Sequence, residues 1–468
     1  MFRPALLSLS IRSVVVTLAA ALAMGSAVAD PRKTDEDAAI AWLKVSAHSF
    51  TGEDASADEL QPLAARLASA QVIGIGEATH GSHQDQAFKA NLIKTLVQQR
   101  HLEYFVVEAN RQIGSDLDDY VSGRGGDLPT LLRSPSFFRT WRDEEFADLI
   151  LWIRAWNLQS DHPVHIVGAD CQDAGVDAEF ALRFVAARDP ALAAGFDKAF
   201  GRLMATTDRP RFAVWASTAT APEYRDAEQA SRRLEDLFKT HGDAWAAAPG
   251  FREAAYAAKT AGQALYSFEL DGGRGDPRSN EMEYYGRRDR FMASNMLERL
   301  NGHSGAFWAH DQHVLADVSV TDGYPTGYTW VGRELRKALG YRYQTVTFAW
   351  SRGEFRAQKF SGSYDGDVTH RQPMVPQSFP NDRPGDLGGL LLRMDAERFW
   401  VDLRTLPDVD WARRFVSTPY ARGWAGWGVD PATWNKGDGD LTSLRPATDI
   451  LVWFKQITPS HMLPGDDF

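Results

Sequence analysis

The sequence predicts an α/β fold. A mostly parallel β-sheet is covered by helices on both faces, and an all-helical insertion caps the carboxyl edge of the sheet. Three observations predict it. Short, continuous apolar runs recur along the chain, each followed by a polar loop and then by helical spacing, the pattern of parallel strands buried on both faces. Residues 177–270 break this rhythm with an Ala-, Arg- and Glu-rich stretch that holds no convincing strand. The 468 residues are also 44% hydrophobic, ample for a large core.

The first 29 residues read as a signal peptide. Arg3 and Arg12 precede a short apolar stretch at 14–24, and Ala27-Val28-Ala29 ahead of Asp30 has the small-residue pattern of a cleavage site. A membrane anchor needs a longer run, of about twenty apolar residues. No cysteine follows, which argues against a lipoprotein, so the expectation is a periplasmic or secreted protein. Two amphipathic helices are expected at 37–45 and 58–69. The first strand is Val72-Ile73-Gly74-Ile75, and Phe88, Leu92, Ile93 and Leu96 then recur at helical spacing within 84–99. Tyr104-Phe105-Val106-Val107 is the second strand. The helix 144–157 turns Leu149, Ile150, Trp152 and Ile153 inward, and Val164-His165-Ile166-Val167 is the third strand. Gly305-Ala306-Phe307-Trp308 is the fourth strand. A helix at 330–339 leads to a fifth at 345–350, and late strands are expected at 399–403 and 450–454. The Gly-, Pro- and Asp-dense residues 361–386 read as a long surface loop. The α/β core thus runs over 30–176 and resumes over 271–468, on either side of the insertion.

The formal net charge of −11 still counts Arg3 and Arg12, so the mature chain is more acidic. That argues against a nucleic-acid partner, which needs a basic face. No segment after the first is long and apolar enough to span a membrane, and oligomeric state is not legible. Cys171 is the single cysteine, so disulfides do not staple the fold, and a buried thiol is the natural reading of it.

Chemistry concentrates in two segments. Gly76-Glu77-Ala78-Thr79-His80-Gly81-Ser82-His83 follows the first strand, and Trp308-Ala309-His310-Asp311-Gln312-His313 spans the end of the fourth. Together they hold four of the twelve histidines. Glu108 falls just after the second strand and Asp170 after the third. Ligands bind outside the carboxyl ends of the strands in open parallel sheets, so four segments deliver ionisable groups to one edge. A histidine oriented by a glutamate can deprotonate water, and a second can stabilise an oxyanion or protonate a leaving group. If close, Glu77 and Glu108 would repel, and one would hold a raised pKa. Structural roles compete: Glu108 as an ion-pair partner of Arg111, Asp170 capping a turn, His83 beginning the next helix. The His-x-x-His intervals also permit a metal, making a metallohydrolase the alternative enzyme, although neither segment has the His-Glu-x-x-His pattern. No Gly-x-Ser-x-Gly elbow supports a serine nucleophile.

At these residues the chain resembles the erythromycin esterase family. Gly76-Glu77-Ala78-Thr79-His80-Gly81 is similar to the family's opening signature, and Val107-Glu108-Ala109-Asn110 to its second. Residues 141–170, Arg288-Asp289-Arg290-Phe291-Met292-Ala293-Ser294-Asn295, 308–314 and the ending 449–459 resemble its later blocks. The resemblance implies metal-independent hydrolysis of the lactone ester of macrolides, with no cofactor and with histidine as general base on water. By position it makes His80 the base, Glu77 and Glu108 the essential carboxylates, and His310 and His313 the paired later histidines. Lys89 stands where the family carries arginine, which gives up a bidentate contact. Asp311 stands where asparagine is common. The small-molecule substrate expected is therefore a carboxylic ester or macrolactone. Distant relatives that bind haem supply a non-enzymatic alternative, a haem- or ligand-binding protein without turnover.

Overall fold

The computed structural model describes residues 31–52, 55–134, 136–205, 215–216, 218–268, 277–317, 329–359, 373–434 and 441–465. The signal segment expected at 1–29 and part of the loop expected at 361–386 lie outside them. In chain order the strands are β1 (His48–Ser49), β2 (Val72–Ile75), β3 (Tyr104–Asn110), β4 (His165–Asp170), β5 (Gly305–Trp308), β6 (Tyr343–Lys359), β7 (Val375–Ser378), β8 (Arg398–Asp402), β9 (Tyr420–Ala421), β10 (Gly428–Val429), β11 (Leu441–Thr442) and β12 (Ile450–Ile457). The first seven helices are α1 (Pro31–Ser46), α2 (Ala57–Arg66), α3 (His83–Arg100), α4 (Arg111–Val121), α5 (Leu128–Leu132), α6 (Glu144–Asn157) and α7 (Ala174–Ala186).

Ten strands form one sheet with the order β1-β8-β12-β6-β2-β5-β3-β4, to which β7 and β10 add alongside β6. From β12 to β4 every neighbouring pair is parallel. At the other side β8 runs antiparallel to β12, and β1 antiparallel to β8. The sheet is thus mixed and mostly parallel, as an α/β protein with an antiparallel edge. That edge was not expected: an apolar run such as Phe399-Trp400-Val401 shows a buried strand but not its direction. Strand β6 continues well past the expected 345–350, and Glu354 pairs with Ser378 of β7 inside the stretch read as loop.

Helices cover both faces. On one, Phe88, Leu92, Ile93 and Leu96 of α3 join Phe146, Leu149, Ile150 and Ile153 of α6 in the main core. On the other, Met292, Ala293, Met296 and Leu300 pack with Val331, Leu335 and Phe307. Local signals fix where α3 and α6 begin. Ser82 caps α3 by accepting from the Asp85 amide at 3.3 Å, and Asp143 caps α6 by accepting from Phe146 at 2.9 Å. Helix α3 ends at His101 in the left-handed region, φ 51°.

Helices between 174 and 268 hold an apolar core of their own, including Ala178, Leu182, Phe200, Leu234 and Leu265. They join the sheet domain through Asp177, which accepts from Arg111 Nε at 2.8 Å and from Thr260 Oγ1 at 2.5 Å. The expected boundary at 176–177 therefore falls inside α7.

One feature of the register positions everything that follows. Ile75 is level with Trp308, Trp308 with Val107, and Val107 with Gly168. The residues just beyond that row are Glu77, His310, Glu108 and Asp170. Glu77 and His310 follow their strands, whereas Glu108 and Asp170, expected just after theirs, still lie within β3 and β4, and all four stand near one height at the carboxyl edge. Two glycines make room: a Cβ at Gly76 would lie 2.0 Å from Asp311 Oδ1, and one at Gly168 would lie 2.3 Å from the Asn110 carbonyl.

Candidate active site

Two carboxylate centres sit side by side. In the first, the buried Glu77 carboxylate accepts from His80 Nδ1 and from the Lys89 ammonium, both at very short range. Trp141 Nε1 donates to Oε1 at 3.0 Å and Gln86 Nε2 to Oε2 at 2.9 Å. Burial alone would raise this carboxyl, but the Lys89 and His80 charges and hydrogen bonds hold it at about 2. Lys89 is itself fully buried, its ammonium 3.9 Å from the centre of the Trp308 ring. Burial lowers the Lys89 pKa against the pull of Glu77. A single-point contact to one carboxylate oxygen suits an ammonium, so lysine at this position forms a complete pair without a planar fork.

In the second centre, Glu108 Oε1 accepts from Arg288 Nη2 at 2.8 Å and faces His313 Nε2 at 3.1 Å, while Oε2 accepts from the His310 amide at 3.2 Å. The other ring nitrogen of His313 lies 2.9 Å from Asp289 Oδ2. Burial would lower the His313 pKa, but Asp289 and Glu108 together push it up to about 10, so the ring is an imidazolium at neutral pH. Burial likewise opposes ionisation of Glu108, and His313 and Arg288 keep it well below the usual carboxylate range. Arg288 also grips Asp170 with two bonds, Nε–Oδ1 at 2.9 Å and Nη2–Oδ2 at 2.7 Å. Three carboxylates, of Glu108, Asp170 and Asp289, thus surround two cations.

His310 lies between the centres, its ring centroid 5.1 Å from that of His80. Its Nδ1 accepts from the Gln312 amide at 3.3 Å, which places the ring proton on Nε2. That Nε2 is buried and has no hydrogen-bond partner among the described residues. Burial, with the nearby His80 charge, depresses the His310 pKa to about 3, so it is a neutral donor. Asp311 points the opposite way. It accepts from the Phe348 amide at 3.1 and 3.2 Å and from Trp424 Nε1 at 3.1 Å, with Arg422 Nη2 at 3.6 Å. Burial raises its pKa to about 7 in spite of Arg422.

The six residues His80, Glu77, Glu108, His310, His313 and Lys89 therefore meet at one place, and Asp170 joins them through Arg288. Two expectations change. Glu77 and Glu108 do not force each other into a raised pKa, because each has a cation of its own. Glu108 pairs with Arg288 and not with Arg111, which is engaged by Asp177. His83 turns away to Glu145, 2.5 Å from its Nδ1. Cys171 is buried, and burial pushes its thiol well up. Arg288, Asp289, Trp141 and Gln86 were not foreseen in the site. For the first two a signal existed, since they open the 288–295 block.

As for metals, both oxygens of Glu77 and both of Glu108 already accept from donors of the chain itself, two of them full cations. A divalent ion at either carboxylate would compete with these donors and stand beside the Lys89 ammonium or the Arg288 guanidinium.

A mixed, mostly parallel sheet with paired histidine–carboxylate centres at its carboxyl edge defines an α/β protein with a buried cluster of ionisable groups. The chain belongs to the erythromycin esterase family, whose sequence profile matches residues 97–457. That makes it an esterase-like hydrolase, of a family acting on esters. Solved structures share the fold. A Bacillus cereus protein is similar at TM-score 0.75 and 20% identity, with 92% of this chain and 99% of that one covered. A structure described as a succinoglycan biosynthesis protein gives TM-score 0.73 and 18% identity over 92% of this chain and 99% of its own. A mutant of the erythromycin esterase EreC in its open conformation gives 0.63 and 16%, with 88% of this chain and 95% of that chain covered.

Proposed function

We propose that this chain hydrolyses a carboxylic ester or macrolactone with His80 as general base. The observation that carries the reading is the Glu77–His80 contact. Glu77, as a carboxylate, accepts the hydrogen bond from Nδ1–H, which leaves the Nε2 lone pair to receive a proton from water. The hydroxide so formed adds to the ester carbonyl carbon, and the carbonyl oxygen becomes an oxyanion. His310 Nε2–H, preformed and without another partner, is placed to donate to that oxygen. Collapse of the tetrahedral intermediate breaks the C–O bond. The proton held by His80 passes to the leaving alkoxide, and the base is restored. Glu77 orients and tunes His80, Lys89 neutralises Glu77, and the fixed His313 imidazolium and Glu108 hold His310 through its backbone amide.

Release of this enzyme to the periplasm or outside the cell, and a helical unit flanking the mouth of the cleft, belong to the same proposal. Mass spectrometry of purified protein with a panel of macrolides and simpler lactones, wild type beside His80→Ala, tests it. A gain of one water that disappears in the variant is expected. Hydrolysis that survives in His80→Ala at the wild-type rate would sink the assignment of the base. A visible haem band with no turnover would favour the binding-protein alternative.

A further inference from the structure

Outside the proposed catalytic cluster, the described residues bring together one group of ligating side chains: His83 at the start of α3, Glu145 in the first turn of α6, and His461 near the C-terminal end. We propose that these three residues form a His2Glu site for a divalent cation of the zinc class, which clamps the C-terminal segment to the two loops beneath it.

Geometry supports this directly. Nδ1 of His83 lies 2.5 Å and Nδ1 of His461 2.8 Å from the same oxygen, Glu145 Oε1. The two rings are 4.7 Å apart, centre to centre. One ligand atom from each residue falls within 4.8 Å of the others. Zinc sits about 2.0–2.2 Å from imidazole nitrogen and carboxylate oxygen, so a sub-ångström outward shift of each group admits the ion. The ion takes the place of the protons that bridge the rings to Glu145 in its absence.

The backbone that carries these ligands is already fixed. Ser460 N donates to the Gly81 carbonyl at 2.9 Å, and His83 N donates to the Thr458 carbonyl at 2.8 Å. Glu144 N donates to the His461 carbonyl at 2.7 Å, and Leu463 N to that of Arg142 at 3.0 Å. The His461 amide also donates to both oxygens of Glu145 at 3.2 Å, which orients the carboxylate as outer-sphere partners of metal ligands do. Side-chain exposure is 59% for His461 but 5% for Glu145, so the site has a rigid floor and an accessible rim. Two imidazoles with one carboxylate and an open position suit zinc better than a hard cation, which prefers an all-oxygen shell.

This site shares no residue with the cluster proposed to be catalytic. His83 and His80 are three positions apart, yet they turn to different carboxylates, Glu145 and Glu77. The clamp joins Gly81, next to the proposed base, to the segment that follows Trp141. A bound ion would stiffen both walls from behind without touching a reacting atom.

Tag-free, chelator-stripped protein dialysed against micromolar zinc, with metal content read by mass spectrometry, tests the proposal. Thermal unfolding is followed on the same samples. The expected result is one zinc per chain and a Tm that rises with zinc concentration. In His83→Ala and in His461→Ala, affinity should fall at least about tenfold and the zinc-dependent rise in Tm should vanish. His461→Ala removes an exposed ring, and its zinc-free Tm reports that the fold is intact. No zinc retained by the wild type overturns the proposal. So does equal retention by His461→Ala, or loss of zinc only in His80→Ala or His310→Ala, which would move the ion to the acid–base cluster.

Discussion

His80 and His313 stand on the same sheet edge, and each faces a buried glutamate that is also held by a cation of the chain. What separates them is the number of carboxylates each ring meets. His80 meets Glu77 through Nδ1 only. His313 is held between Asp289 and Glu108, one on each ring nitrogen. An imidazole with one oriented carboxylate keeps a lone pair for proton transfer, whereas one between two carboxylates is fixed as a cation. On the proposed mechanism, the same two residue types make a base in one centre and a structural charge in the other. His310 completes the set, because without a carboxylate on either nitrogen it stays neutral and donates.

The sharpest way to break this comparison is to remove the carboxylate that directs His80. Glu77→Gln should lower kcat by about 10²–10⁴-fold. It also leaves the Lys89 ammonium buried without its counter-charge, a loss on the order of 3–5 kcal/mol in stability. Rate measurement on folded protein separates the two effects, and near-normal turnover in that variant would end the account of His80. Next in size is His310→Ala, which removes the proposed oxyanion donor. Its kcat should fall by roughly 10²–10³-fold, with a stability loss of about 1 kcal/mol because the Gln312 amide loses its acceptor at Nδ1. A change in KM alone would assign His310 to substrate binding instead.

How much of this was legible in the sequence follows from where each residue sits. Glu77, His80, Glu108 and His310 lie just past short apolar strands, so local pattern and the rule for parallel sheets were enough to place them together. Arg288 and Asp289 could not be placed that way. They ride on the helix Pro277–Leu300, and Arg288 meets Glu108 across 180 positions of chain, a contact fixed by helix packing and not by any nearby pattern. The competing structural reading paired Glu108 with its near neighbour Arg111; Arg111 instead anchors the helical unit through Asp177. Strand direction failed at β8 for a similar reason, since apolar runs carry no polarity.

The His313 side of the comparison has its own pH signature. Its folded pKa is raised to about 10, so its contribution to stability is complete below the unfolded value near 6.5 and is lost as pH rises through about 10. Asp289→Asn removes the first of the two raising charges. The variant should lose stability at lower pH than the wild type, by a few kcal/mol at most. Denaturant unfolding between pH 7 and about 10 reads this, and superimposable alkaline limbs would show that His313 is not the group being titrated.

The smallest effect is expected at Asp311, behind both centres. Its folded pKa of about 7 lies above the ordinary carboxylate value, so the folded state holds a proton that the unfolded chain has already released. Its contribution therefore favours folding most below about pH 4 and declines as pH rises from there to about 7. Asp311→Asn removes that decline. Near neutral pH the gain is offset: with its oxygen in the Oδ2 place, accepting from Phe348 and Trp424, the amide turns an NH2 toward the Phe348 N–H where Oδ1 had accepted, a loss of about 1 kcal/mol. The net difference at pH 7 is thus small, but the slopes differ: wild-type stability should fall between pH 5 and about 7 more steeply than that of the variant. Asp143 is also raised by burial and cancels in the difference, whereas Asp85 is raised by burial and by Asp311 itself, so the variant relaxes Asp85 too and widens the difference in slope with the same sign. Parallel curves would mean that Asp311 stays ionised beside Arg422, with a fixed negative charge against the His310 segment.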